Sequence, residues 1–185
     1  MATRGQMINQ VLEPSFSSTF WEMTFAPNGD GYIAGNSGAV YKKEAGCNVW
    51  NRLQTGVTNG LRDIAMVNAD TGFVVGTSGT MLKTEDAGQT WTSVTTGTTT
   101  GLMALEFTND STGFAGGGGS AGFQVLKSTD YGQTWSITST FSSTPFDITF
   151  LNADTGFVVG VGGMVYRTVD AGANWTALSS GTSSV

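Results

Sequence analysis

The chain is a succession of short apolar runs separated by clusters of Gly, Asn, Asp, Ser and Thr. No segment keeps an apolar period of 3.6 residues, so helices are not expected. One stretch shows the unit clearly. Its runs are 61–67, 72–76, 80–83 and 90–94. In the first run Leu61, Asp63, Ala65 and Val67 fall on one side of a strand, and Arg62, Ile64 and Met66 on the other. Both sides carry apolar residues, so the sheet should be covered on both faces. The separators Asn-Ala-Asp-Thr-Gly, Thr-Ser-Gly and Glu-Asp-Ala-Gly-Gln are turn chemistry.

The unit repeats. Trp50, Trp91, Trp135 and Trp175 stand 41, 44 and 40 residues apart. A second marker precedes each, reading GYIAG at 31–35, TGFVVG at 71–76, TGFAGG at 112–117 and TGFVVG at 155–160. The third repeat has three extra residues within Gly116–Gly122. A period of about 42 residues with four strands each is the arithmetic of a propeller blade, whose two apolar faces are covered by its neighbours. The expected fold is all-β, a small β-propeller of four four-stranded antiparallel blades, with repeats at about 20–60, 61–100, 101–144 and 145–185. Residues 1–19 are expected to be an N-terminal arm whose segment 7–13 aligns with the outer strands and should pair with a sheet edge. Closure within one chain is the favoured arrangement. The alternative is a larger ring shared with another copy.

Three tryptophans end a shared motif, [ST]-x-D-x-G-x-[TN]-W. Asp86, Asp130 and Asp170 can accept backbone N–H groups and close the turn. Gly88, Gly132 and Gly172 supply positive φ. Trp91, Trp135 and Trp175 start the next strand and plug the hairpin onto the blade. The first repeat lacks the motif, with Ala45 at the Asp position and Cys47 at the Gly position. This motif resembles the Asp-box, or BNR repeat, of sialidases and related propellers. Paired with the TGF marker, it is similar to the photosystem II assembly and stability factor family and its bacterial and phage-borne relatives. The resemblance implies the propeller fold, although that family has seven blades. It leaves function open among hydrolases, lectins, assembly factors and virion parts.

Composition narrows the chemistry. There is no histidine, which removes imidazole acid–base catalysis and zinc–histidine sites. Cys47 is alone, so no intrachain disulfide or cysteine metal cluster forms. The net charge is −6 and the eight Lys and Arg are scattered, which argues against a nucleic-acid partner. No apolar run approaches a membrane span, and the N-terminus has no signal-peptide core. The arginines available to a sialidase-like triad are only Arg4, Arg52, Arg62 and Arg167. No metal or cofactor pattern stands out.

The candidate ligand or interface residues are Arg62, Asp63, Glu106 and Asp147, which break the apolar pattern near the innermost strand of the repeats, and the aromatic Trp21. That strand lines the central channel. The aromatics that could stack on sugars are Phe16, Phe20, Trp21, Tyr131, Phe141 and Phe146, with Trp21 foremost. The expected function is a non-enzymatic binding or structural module, a bacteriophage virion component of tail-fibre, baseplate or head-decoration type. The alternative is an assembly or stability factor of a protein complex, or a carbohydrate-binding lectin. Expected partners are proteins of a larger assembly, with a surface glycan as a further candidate. The expected setting is the virion or extracellular space, and the alternative is the cytoplasm.

Overall fold

Each apolar run becomes a strand. The computed structural model describes residues 19–119 and 122–181. The arm segment 7–13 lies outside them. Blade 1 contains β1 (Phe20–Phe25), β2 (Gly31–Gly35), β3 (Val40–Lys43) and β4 (Asn51–Leu53). Blade 2 contains β5 (Leu61–Met66), β6 (Gly72–Gly76), β7 (Met81–Thr84) and β8 (Thr92–Ser93). Blade 3 contains β9 (Gly101–Phe107), β10 (Gly113–Gly119), β11 (Gly122–Ser128) and β12 (Ser136–Phe141). Blade 4 contains β13 (Pro145–Phe150), β14 (Gly156–Gly160), β15 (Met164–Thr168) and β16 (Thr176–Ala177). All four sheets are antiparallel meanders in sequence order. Among the described residues the helical content is two 3₁₀ turns, Thr77–Gly79 and Val161–Gly163. None of the described helices is long and apolar enough to cross a membrane. The extra residues of repeat three lengthen the β10–β11 hairpin.

The core lies between blades. Tyr32, Ala34 and Val40 of blade 1 cluster with Leu61, Ile64, Val74 and Leu82 of blade 2. Phe73, Val75 and Met81 then cluster with Leu102, Leu105, Ala115 and Trp135 of blade 3. Phe114, Phe123 and Val125 cluster with Ile148 and Val158 of blade 4. The strands β6 and β10 of the two interior blades therefore each serve two clusters with alternate residues, as a doubly covered strand must. Among the described residues no such cluster joins blade 4 to blade 1, so these residues leave the fourth seam open.

Simple alternation fails on the innermost strands. Leu61 and Ile64 share one cluster although they stand three apart. The reason is a bulge, because Leu61 pairs with Gly76 while Asp63 pairs with Val75, leaving Arg62 as the extra residue. The other innermost strands shift register at the same point, leaving Trp21, Met103 and Phe146 unpaired.

Candidate functional site: a central basin built by four bulges

A bulge re-aims the side chain it carries. One bulge per blade aims Trp21, Arg62, Met103 and Phe146 at the propeller centre. With Glu22, Asp63 and Asp147 they line a basin of about 350 Å³. Trp21 and Phe146 are 46% and 58% exposed, so the aromatic walls are open to a ligand. The Arg62 guanidinium stacks 4.0 Å above the Trp21 ring. Trp21 Nε1 donates to Asn36 Oδ1 at 2.9 Å, which fixes the indole. Arg62 is thus held flat on an aromatic wall, with its Nε buried and unpartnered.

The carboxylates divide by role. Asp63 accepts Ile64 N–H and, across the blade boundary, Leu105 N–H, both at 2.6 Å. Burial pushes its pKa up to about 7, the two N–H bonds oppose this, and Glu22 and Asp147 add to the rise. Asp147 accepts its own Ile148 N–H at 2.8 Å, and Glu22 accepts Met23 N–H at 3.0 Å. Glu106 lies outside the basin lining. Its Oε2 accepts Phe150 N–H of blade 4 at 3.0 Å, and burial raises its pKa. Of the five candidates from sequence, the fold gathers Trp21, Arg62, Asp63 and Asp147, and uses Glu106 as a staple between blades. Glu22 lines the basin without being among the sequence candidates. Its alignment with Asp63 and Asp147, one residue after the bulge, was the available signal.

The Asp-box turns sit at the other end of each blade. In blade 2, Asp86 Oδ1 accepts Thr84 Oγ1–H and Thr90 N–H, each at 2.8 Å, while Gly88 N–H donates to Thr84 Oγ1 at 2.8 Å. Asp130 and Asp170 repeat this with Ser128 and Thr134, and with Thr168 and Asn174. The side-chain and backbone bonds from Thr134 hold the Asp130 pKa at about 2, and those from Asn174 do the same for Asp170. The turn glycines also touch the preceding blade. A Cβ on Gly132 would stand 2.2 Å from the Phe73 ring, and one on Gly172 would stand 2.8 Å from Phe114. Trp91, Trp135 and Trp175 pack into the same three interblade clusters. In blade 1, Asp30 takes over from the missing Asp, accepting Ala45 N–H at 2.9 Å and pairing with Lys42 at 3.0 Å. Before TGF the turns are closed by asparagine: Asn68 Oδ1 accepts the N–H groups of Asp70 and Thr71.

A larger cleft of about 440 Å³ opens between blades 2 and 3, lined by Asn68, Asp110, Tyr131 and the Lys83–Glu85 ion pair. It draws on two blades only, whereas the basin draws on all four. No group of three or more potential ligand side chains that could hold a metal ion occurs among the described residues.

Against known proteins, the sequence profile of the photosynthesis system II assembly factor YCF48 family matches residues 42–184. No match is found among curated proteins. A solved structure of YCF48 bound to a D1 peptide is 27% identical, with a TM-score of 0.63, over 72% of this chain and 44% of that one. YCF48 from Cyanidioschyzon merolae is 18% identical, with a TM-score of 0.69, over 87% of this chain and 54% of that one. The GH74 enzyme of Niastella koreensis is 21% identical, with a TM-score of 0.69, over 85% of this chain and 30% of that one. The chain thus spans about half, or less, of the length of these relatives. At these identities the C. merolae protein and the GH74 enzyme show likeness of fold alone. With the family profile covering three of the four blades entirely and part of the first, the chain belongs to the YCF48 family of photosynthesis system II assembly factor propellers.

Proposed function

We propose that the chain is a non-enzymatic module that binds a segment of a protein partner in the central basin, as an assembly or stability factor does. The observation that carries this is the set of four bulges, one per blade, that converge Trp21, Arg62, Met103 and Phe146 on one open concavity. Family membership and the D1 peptide held by one relative support a polypeptide ligand. They favour the assembly-factor alternative over the virion role expected from composition.

The lining suggests the ligand's chemistry. An apolar side chain fits between Trp21 and Phe146, and a neighbouring Lys or Arg faces Glu22 and Asp147. Binding rather than catalysis is favoured because Asp63 spends each of its oxygens on a backbone N–H group, of Ile64 and of Leu105, and so serves the packing of blades 2 and 3. The test is titration of the chain with short peptides pairing an apolar and a basic residue, the D1 peptide among them, and with xyloglucan oligosaccharide. Tryptophan fluorescence reports binding. Phe146→Ala and Asp147→Asn should each weaken peptide binding about tenfold, a loss of about 1.4 kcal/mol. Added salt should weaken it further. Oligosaccharide should be neither bound nor cleaved. Equal affinity in the wild type and both variants would sink the reading, as would oligosaccharide turnover.

A further inference from the structure

The open seam has two complementary halves on one chain. In blades 1, 2 and 3 the ring at the TGF position, Tyr32, Phe73 or Phe114, is fully buried under the next blade. In blade 4 the equivalent Phe157 is only half-buried, and Val159 is 41% exposed where Val75 is at 0%. Blade 1 mirrors this on its opposite face. Met23 is 51% exposed where Ile64, its equivalent, is at 2%. At the junction of blades 2 and 3, Val75 and Leu105, the equivalents of Val159 and Met23, share a single cluster.

The polar contacts correspond too. Lys127 reaches from blade 3 to the Ala171 carbonyl in the turn of blade 4 at 2.8 Å. Its equivalent in blade 4, Arg167, is exposed, and the turn it would meet in blade 1 carries the exposed Glu44. Lys43 of that turn is already tied to the Cys47 carbonyl at 2.9 Å. Asp147 holds only its own Ile148, so its second oxygen corresponds to the one with which Asp63 holds the next blade.

We propose that two copies of this chain close a two-fold ring of eight blades, the outer face of blade 4 in each copy packing on the open face of blade 1 in the other. A junction whose two halves lie on different faces of one chain makes a head-to-tail contact, and such contacts form rings when the rotation closes. The second copy is favoured as the occupant because it supplies the matching apolar face and the opposite charge, continuing the interface used three times within the chain. The rim turn of blade 1 differs at the residue that touches the neighbouring blade. Cys47 stands where the other turns have glycine, and a Cβ there would crowd the facing aromatic ring. The intermolecular seam is therefore looser at the rim than the interior junctions, and the dimer is reversible.

Sedimentation velocity on the 185-residue chain over a rising concentration series reads this directly. The expected result is a concentration-dependent species of twice the chain mass. Val159→Asp and Met23→Lys should each weaken the dimer at least tenfold. A mixture of the two variants should dimerise again, since one seam is then unaltered and the other pairs Asp with Lys. Unchanged melting of each variant in the monomeric range excludes misfolding, because both side chains are solvent-exposed there. Cys47 is exposed in the single chain. Its thiol should react more slowly as concentration rises. A wild-type chain that stays monomeric overturns the proposal, and so does a dimer indifferent to both substitutions, a mixture that stays apart, or a thiol that gains no protection.

Discussion

The junction of blades 2 and 3 is held at two ends, and the two ends use opposite physics. At the rim, Asp130 sits in water and is surrounded by donors from its own turn, so ionisation is favoured and its pKa stays near 2. At the channel, Asp63 accepts two short N–H bonds of 2.6 Å, yet its pKa rises to about 7 because burial outweighs them. The rim carboxylate orders a local loop, and the contact with the neighbouring blade is left to the glycine beside it. The channel carboxylate makes the contact between blades itself. Hydrogen bonding lowers the pKa at both ends, and burial decides the sign: it outweighs the two bonds at Asp63 and not the larger set at Asp130.

The largest effect should come from breaking the rim contact through its glycine. Gly132 has φ of 70°, and an added Cβ would lie 2.2 Å from the buried Phe73 ring. Gly132→Ala combines overpacking with left-handed backbone strain and should cost about 3 kcal/mol or more. A urea melt measures it. A cost near zero would mean that the turn does not seat on blade 2.

The channel end should rank second and depend on pH. Asp63→Ala leaves the N–H groups of Ile64 and Leu105 without this acceptor, a loss of about 2–4 kcal/mol at pH 5. In the wild type the folded-state pKa is raised, so the native chain binds the proton more tightly than the unfolded one. The stability linked to it is fully present below the unfolded value near 3.8 and is lost as pH rises to about 7. That loss amounts to up to about 4 kcal/mol. The destabilisation by Asp63→Ala should therefore shrink between pH 5 and pH 8. Urea midpoints of both proteins across that range give the answer, and a constant difference would show that Asp63 does not titrate differently on folding.

The two ends also differ in how far the sequence discloses them. The rim motif is local: Asp130, Gly132 and Trp135 lie within six residues, and each acts on the same turn or on the core beneath it. Spacing alone shows it, together with the period and the four-stranded blades. The channel end depends on the bulges. Strict alternation places Leu61 and Ile64 on opposite sides, and an extra residue at Arg62 brings them together. A bulge leaves no composition signal comparable to glycine in a turn. The Asp63 bond to Leu105 spans 42 residues and exists only once blades 2 and 3 are packed. The residues that break the apolar pattern could be read as candidates. Which of them converge, and that Glu106 is spent on Phe150, required the packed blades.

The smallest stability effect should follow Asp130→Ala, and it sharpens the comparison through its opposite pH dependence. Asp130 orders an exposed loop, and the change removes bonds from Ser128, Gln133 and Thr134, whose polar groups can turn to water instead. Gly132 keeps its N–H bond to Ser128 Oγ at 3.0 Å, so the glycine can still seat on Phe73. The melting temperature at pH 7 should fall by less than in Gly132→Ala. Because the folded-state pKa is lowered, the contribution is present above the unfolded value near 3.8 and fades as pH falls to about 2. The gap between wild type and Asp130→Ala should therefore close on acidification, and Asp63, which is common to both proteins, cancels from the difference. Thermal melts at pH 7, 4 and 2.5 test this. A gap that widens toward acid, or that exceeds the Gly132→Ala effect, would mean that Asp130 holds more than its own loop.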